Sequence, residues 1–370
     1  MEETLIFLAY CWLLISVILW LWQAWRFTRM NHMLSESQDI SIVKGSLPSL
    51  SLIVACRNEE QNLARNLPLW MAQEEVNFEI ILVDDHSEDA TPEFCEHASK
   101  SDPNIKFIRL DSAENRGKKW AIEAGIGLAK NEHLVFCDAD CYPASALWLK
   151  AVAVSFSEGN DMVLGYGKIV GPSRIQALVD FETGRTALQF WHYASVKNPY
   201  MGVGRNLAYT KSLYYNNPDH KKHRDLLSGD DDLFVNSAGQ GAKVAVLRWP
   251  EAYTLSKAPV NFRAWWKQKR RHYSAAWRYK LSHQLSLGLE GILALLFWVL
   301  MPLGLYYLPL EAMVLIATRF FMSFYPVRVQ FSLFDKPGLQ NLWPIWELVW
   351  VLSTFVLQVK TLILGAGKKW

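Results

Sequence analysis

The sequence predicts an α/β domain with a mostly parallel sheet, covered by helices on both faces and carried between transmembrane helices. Three observations lead there. Short apolar runs of strand length alternate with helical stretches from Pro48 onward, the pattern of strands buried on both faces. An uncharged stretch of about twenty residues lies near the first residue, long enough to cross a hydrocarbon core of ~30 Å. Long apolar segments return after residue 285. The 51% hydrophobic content of the 370 residues is concentrated at these two ends, so the middle alone must form the water-soluble fold.

The first segment is Leu5 to Trp25. A cleaved signal peptide would carry a basic start and a small-residue cleavage site. Met1-Glu2-Glu3 is acidic and no such site follows, so an anchor over residues 1–30 is expected. Arg26 and Arg29 follow the span, and Trp20, Trp22 and Trp25 form an interfacial belt at its end; the positive-inside rule then places the next domain in the cytosol. Within that domain, expected over 46–284, strands are read at Leu50–Ala55, Glu79–Val83, Ile105–Leu110, His133–Cys137, Met162–Tyr166 and Lys243–Leu247. Helices are read near Glu59–Gln73, Thr91–Ser99, Lys118–Ala129 and Ser145–Phe156. In such sheets ligands sit beyond the carboxyl ends of the strands.

The polar motifs fall at those ends. Asp138-Ala139-Asp140 follows the buried strand His133–Cys137, and Tyr142-Pro143 after it reads as a turn. Two carboxylates one residue apart reach the same side of the chain and can hold one hard divalent cation, Mg2+ or Mn2+; for an isolated Asp-x-Asp, a solvated turn is the ordinary alternative. The first strand ends in Ala55-Cys56-Arg57-Asn58-Glu59, and the second in Asp84-Asp85-His86-Ser87-Glu88-Asp89. A carboxylate at a strand tip can accept from a pyrimidine N–H or ribose hydroxyls, whereas Asn58, Ser87 and Asp89 are equally suited to capping. Asn115-Arg116-Gly117-Lys118 offers a glycine turn and cations at a helix start, suited to a sugar or phosphate or to solvent. Five cysteines without paired spacing suggest neither a disulfide framework nor a zinc site, and a net charge of +2 makes no global case for nucleic acid.

Taken in order, Val83-Asp84-Asp85-His86-Ser87-Glu88-Asp89, Asn115-Arg116-Gly117-Lys118, Asp138-Ala139-Asp140, Ser228-Gly229-Asp230-Asp231-Asp232 and Gln268-Lys269-Arg270-Arg271-His272 resemble the motif series of membrane-bound family 2 glycosyltransferases. The resemblance covers about Pro48 to Tyr279. It implies a GT-A fold and an inverting transfer from a nucleotide-sugar donor, a UDP-sugar being the foremost candidate. It also implies roles. Asp85, with Asp84 beside it, would contact base or ribose, and Ala55, Arg57 and Glu59 would line the nucleotide. Asn115 and Lys118 would meet sugar or phosphate. Asp138 would face the ribose and share with Asp140 a metal that offsets charge on the leaving diphosphate. Asp231 would be the general base, with Asp230 beside it. Gly204 and Arg205, in Met201-Gly202-Val203-Gly204-Arg205-Asn206, would border the donor sugar, glycine allowing close approach of backbone. Gln268 and Arg271 would stabilise the diphosphate. The last motif departs from the family: His272 stands where Trp is usual, on the acceptor side.

The acidic run before Leu233-Phe234-Val235 is also ordinary first-turn capping. The stretch 261–280 reads as a helix with interleaved basic and aromatic residues. Trp265, Gln268, Arg271 and His272 are expected on one face, and the helix is expected to lie in the membrane surface. Arg174 to Val196 reads as a second interfacial helix. Beyond 285, spans are expected at Leu285–Tyr307, Leu310–Val327 and Trp343–Leu364, their ionisable residues facing protein or headgroups. With four spans, Lys368-Lys369 would fall outside, against the positive-inside tendency. Three readings remain: transfer to a membrane-lipid hydroxyl, a processive polysaccharide synthase making a glycan, and an inactive membrane scaffold. The carboxylate set speaks against the third, and few spans for a polymer-wide pore favour the first over the second.

Overall fold

A computed structural model of the chain describes residues 2–35, 46–112, 116–219, 229, 231–334 and 339–364. The order of elements begins α1 (Glu2–Ser35), β1 (Leu50–Cys56), α2 (Glu60–Met71), β2 (Phe78–Asp84), α3 (Thr91–Ser101), β3 (Ile105–Arg109), α4 (Lys118–Leu128) and β4 (His133–Phe136). It continues with β5 (Tyr142–Pro143), α5 (Trp148–Ser157), β6 (Met162–Leu164), β7 (Gly167–Val170), α6 (Gln176–Ser195), β8 (Leu207–Thr210), α7 (Lys211–Asn216), α8 (Asp232–Ala238), β9 (Val244–Val246) and β10 (Thr254–Lys257). Helices α9 (Phe262–Ala276), α10 (Leu281–Tyr307), α11 (Pro309–Leu333) and α12 (Trp343–Leu364) complete it. Two compact units result. A helical unit holds α1, the stretch Ile175–Leu188 and α9 to α12, and an α/β unit holds the rest of the described chain. The sequence expectation had counted Ile175–Leu188 and residues 261–284 within the domain 46–284.

In the α/β unit, seven strands lie in the order β3-β2-β1-β4-β8-β6-β9. Strands β3, β2, β1 and β4 run parallel, as expected of apolar runs buried on both faces: Leu50 to Val54 are all buried. Strand β8 was not foreseen. It enters antiparallel between β4 and β6, pairing Leu207 with both Phe136 and Leu164. A second, three-stranded sheet has the order β5-β10-β7. Tyr142-Pro143, read from sequence as a turn, is its edge strand, pairing with Leu255 and Thr254 of β10. Proline is tolerated there because an edge strand can leave one N–H position unused.

Register places the motifs. Cys56 lies opposite Asp84, and Asp84 opposite Arg109, so β1, β2 and β3 end level with one another. The chain leaves β4 after Phe136, which pairs with Ile53, so Asp138 emerges beside the end of β1. The core beneath contains Leu52, Val54, Leu63, Trp70, Leu82, Val135 and Trp148. Helix α4 packs unusually close to the sheet. A Cβ built at Gly125 would lie 2.5 Å from Ile53 Cγ2 and 3.2 Å from Val83 Cγ2. Gly125→Ala is therefore expected to lower unfolding stability by about 1–3 kcal/mol, since overpacking a β-branched core outweighs the gain in helix propensity. A thermal or denaturant melt showing unchanged or higher stability would contradict that packing.

The helical unit is stitched by polar contacts inside an apolar bundle. Trp12 Nε1 donates to the carbonyl of Phe297 at 2.8 Å, and Gly304 leaves room for the Trp12 ring. Glu290 accepts from Arg26 at 2.5 Å and from Arg185 at 2.8 Å, joining α1, α6 and α10. Arg319 forks onto Glu347 at 2.8 and 3.1 Å with its guanidinium 4.0 Å from the Phe297 ring. The ionisable side chains Glu290, Arg319 and Glu347 thus face protein, as their cost in lipid requires. Among the described residues, Glu2–Arg26 and Leu281–Tyr307 are long and apolar enough to cross a membrane. Helices α11 and α12 form where the other two spans were expected.

Candidate active site

The ends of β1 and β2 are tied together before any ligand arrives. Asn58 and His86 both adopt left-handed backbone, with φ of 56° and 57°. The Asn58 N–H donates to Ser87 Oγ at 2.9 Å, its Oδ1 accepts from Glu88 N at 2.8 Å, and Glu59 N–H donates to Thr91 Oγ1 at 2.8 Å. Asn58 therefore caps the neighbouring loop rather than its own helix. Asp89 accepts from Thr91 N at 3.0 Å in the turn before α3, but the N-cap position of that helix is Ala90, one residue beyond the cap expected from sequence.

The paired aspartates after β2 are not equivalent. Asp84 is fully buried; its Oδ2 accepts from Ser87 N at 3.3 Å and lies 3.4 Å from Arg109 Nε. It presents no surface to a ligand. Asp85 is 5% exposed, and its Oδ1 takes the Gly117 N–H at 2.9 Å and faces His86 Nδ1 at 3.0 Å. Gly117 has φ of 119°, a conformation suited to glycine, and α4 starts with the next residue. Asp85 thereby positions Lys118.

Lys118 brings the chemistry together. Its Nζ lies 2.7 Å from Asp138 Oδ1. It lines an open cleft with Ala55, Cys137, Gly204 and Asp231. Asp231 precedes α8, with its Oδ2 accepting from Gly204 N at 2.6 Å and its Oδ1 from Asp232 N at 2.8 Å. The neighbouring Asp232 is buried and accepts from Leu233 N, so of these two carboxylates Asp231 is the one that lines the cleft. Asp230 and Asn115, both singled out from sequence, lie outside the described residues.

Asp138, Asp140 and Cys141 place one donor atom each within 4.8 Å of one another. Asp140 is exposed by surface area yet ringed by protein. That surrounding protein, followed by the charge of Asp138, raises its carboxyl pKa, while the Cys141 thiol, Arg205 and Lys118 oppose the rise. Burial also raises Glu59, and the charges of Asp140 and Asp138 add to it against a hydrogen bond from Asn62. Like charges held this close disfavour their own ionisation, a cost that a divalent cation would remove. The Asp138 and Asp140 oxygens are hard donors that fit Mg2+ or Mn2+. Cys141 does not complete that set: its thiol, donating to Asp140 Oδ1 at 3.2 Å, is raised well above its ordinary pKa by its contact with Cys137 and by burial.

The loop before β8 is held by Asn206, which the sequence analysis quotes without a role, and by Thr254, which it does not single out. Asn206 is buried; it donates to the carbonyls of Tyr166 at 3.0 Å and Ala252 at 2.9 Å, and accepts from Trp148 Nε1 at 3.0 Å. Thr254 Oγ1 holds the carbonyl of Arg205 at 2.8 Å. Arg205 packs over Gly167, where an added Cβ would lie 2.2 Å from its Nε. An Asn in a glycine-rich loop reads locally as a turn residue, and its partners stand 40, 46 and 58 positions away, so no local signal could have found them. Arg57 is partly buried at the end of β1. Gln268, Arg271 and His272 lie on α9 in the helical unit, Gln268 partly buried and the other two exposed. The buried residue at the start of α9 is Trp265, and one turn on Lys269 pairs with Glu182. Lys269, rather than Arg271, thus follows Trp265 on the packed face of α9.

Strands ending level, acidic tips and a cleft beyond their carboxyl ends define the nucleotide-sugar-binding architecture of the GT-A fold. A mannosyltransferase from Pyrobaculum calidifontis, solved with GDP-Man and Mn2+, has the same fold: TM-score 0.59 and 18% identity, covering 96% of this chain and 99% of that one. Residues 51–176 match the family described as Glycosyl transferase family 2. Three curated relatives are similar over part of the chain. A succinoglycan biosynthesis protein, ExoO, from Rhizobium meliloti (strain 1021) is 37% identical over 94 residues, 25% of this chain and 26% of the relative. A beta-monoglucosyldiacylglycerol synthase from Trichormus variabilis is 33% identical over 129 residues, 34% of this chain and 26% of that protein. A poly-beta-1,6-N-acetyl-D-glucosamine synthase from Staphylococcus aureus (strain COL) is 30% identical over 136 residues, 36% and 30% respectively. The chain thus matches less than a third of each relative's length.

Proposed function

We propose that this chain is a membrane-associated inverting glycosyltransferase that moves one sugar from a nucleotide-sugar donor to the hydroxyl of a membrane lipid. The observation that carries the proposal is the cleft in which Asp231, Gly204 and Lys118 meet, with Asp138 against the Lys118 ammonium. In the transfer, the acceptor oxygen attacks the anomeric carbon from the face opposite the diphosphate. The bond from that carbon to the diphosphate oxygen breaks, and the nucleoside diphosphate leaves with the electron pair. Asp231 takes the acceptor proton, with Gly204 N–H and Asp232 N–H holding its carboxylate in place. Asp138 and Asp140 would hold Mg2+ or Mn2+, which when bound supplies counter-charge to the leaving diphosphate. Asp85 positions the start of α4 and Asn206 the loop carrying Gly204.

A lipid acceptor is supported by the apolar helices that bracket the α/β unit in sequence and by the similarity to the glucosyldiacylglycerol synthase. Similarity to two proteins of polysaccharide synthesis supports the polymer reading. A cytosolic face for the α/β unit is supported by Arg26 and Arg29 after the first apolar segment. Membranes expressing the protein, given a panel of labelled nucleotide sugars, are expected to yield product that partitions into organic solvent and carries one sugar, or very few, per acceptor. Label recovered instead as water-soluble, high-mass polymer from the purified chain would overturn the lipid reading and leave the polymer one.

A further inference from the structure

We propose that Lys118 is the resident counter-ion of the metal site: it occupies Asp138 in the nucleotide-free protein and must give that carboxylate up before a divalent cation can use it. The inference rests on reading Asp138 and Asp140 as the cation-binding pair.

The Lys118 ammonium lies 2.7 Å from Oδ1 of Asp138, the carboxylate that also places an oxygen within 4.8 Å of donor atoms on Asp140 and Cys141. The same ammonium borders the other acid of the cleft. A Cβ added to Gly204 would lie 3.1 Å from Lys118 Nζ and 3.3 Å from Asp231 Oδ2. Lys118 therefore stands between the carboxylate that would hold metal and the one that would take the proton. It neutralises part of the negative charge that Asp138 brings to the cleft. A divalent cation at Asp138 and Asp140 would meet this ammonium as a like charge.

The geometry also provides for release. The backbone at Lys118 is fixed, because Asp85 holds the Gly117 N–H and α4 begins there. The side chain beyond it is a flexible stem with a compact charge at its tip, and as a whole it is 23% exposed. A diphosphate entering the cleft offers the ammonium a more highly charged partner. Lys118 then turns from Asp138 to phosphate, and the vacated oxygen becomes available to the cation. Nucleotide and metal consequently tighten one another's binding, and reciprocity makes the two effects equal. A diphosphate that itself ligates the metal would also give such coupling. The distinguishing quantity is the affinity of the nucleotide-free protein for metal.

The test is Mn2+ binding to the purified full chain in detergent, read by the loss of the free-ion electron paramagnetic resonance signal, with and without a nucleoside diphosphate. Lys118→Met is expected to bind Mn2+ without nucleotide about tenfold more tightly than the parent, and its nucleotide–metal coupling should shrink by the same factor. Lys118→Arg keeps the charge and should stay close to the parent. Lys119→Met removes an equal charge one residue away and should change affinity by less than about threefold. An unchanged thermal melt for each variant separates these outcomes from misfolding. Mn2+ bound in an Asp140-dependent way, but with equal affinity in Lys118→Met and the parent, would overturn the role of Lys118 alone. No Mn2+ bound by any variant under either condition would overturn the metal pair itself and this inference with it.

Discussion

Asp231→Asn is expected to lower turnover by at least about a hundredfold while leaving nucleoside diphosphate affinity nearly unchanged. The amide is almost the same size as the carboxylate, but its single oxygen can keep only one of the Gly204 and Asp232 N–H groups, which are held by different carboxylate oxygens. A thermal melt matching the parent is therefore needed to show that loop and helix start stay in place. What it cannot do is take a proton from the acceptor hydroxyl, and a positioned base is worth about 10²–10⁴ in rate. Steady-state transfer and calorimetric binding, measured on the same preparation, separate the two effects. Turnover within about threefold of the parent would remove Asp231 from the role of base. Equal loss of nucleotide affinity would instead make it part of the donor site.

Asp140→Asn tests the cation. Two acids within 4.8 Å, one of them raised by burial and by the other's charge, have their mutual repulsion relieved by a bound dication. Replacing one carboxylate removes a hard anionic ligand and with it most of the site's affinity. If the ion supplies several kcal/mol of charge stabilisation to the leaving diphosphate, turnover should drop by about a hundredfold or more. Chelation of the parent should do the same, with Mg2+ or Mn2+ restoring transfer, and Asp140→Asn should lose metal-dependent nucleotide binding. Full activity of the parent in excess chelator would exclude a required cation and leave Lys118 and Arg205 as the positive charges beside Asp138 and Asp140.

Burial on both faces writes itself into local sequence as an unbroken apolar run, and that is why β1, β2 and β4 were legible within a residue or two. The helices between them were legible through their 3.6-residue period, and α10 and α12 through length and sparse charge. Motif positions followed, because a chain that leaves a buried parallel strand must become polar where it reaches solvent. So Asp85, Asp138 and Asp231 could be placed near one end of a sheet without coordinates. The mostly parallel sheet and the match of residues 51–176 to the family 2 description bear out the fold class.

Tertiary structure decided what depends on partners distant in sequence. Strand β8 has only four residues, and its place between β4 and β6 is set by two neighbours rather than by its own pattern. Asp84 and Asp85 look alike in sequence. Alternation along the strand buries the first against Arg109 and turns the second to the start of α4. Asn206 becomes a buried pin only because Tyr166, Trp148 and Ala252 converge on it. The face that α9 buries is likewise set by Glu182 meeting Lys269. Hydrophobic pattern is a local property and survives in one dimension. Hydrogen bonds and ion pairs between residues dozens of positions apart exist only after the sheet has fixed their register, which is why Lys118 facing Asp138 could not be read from the chain alone.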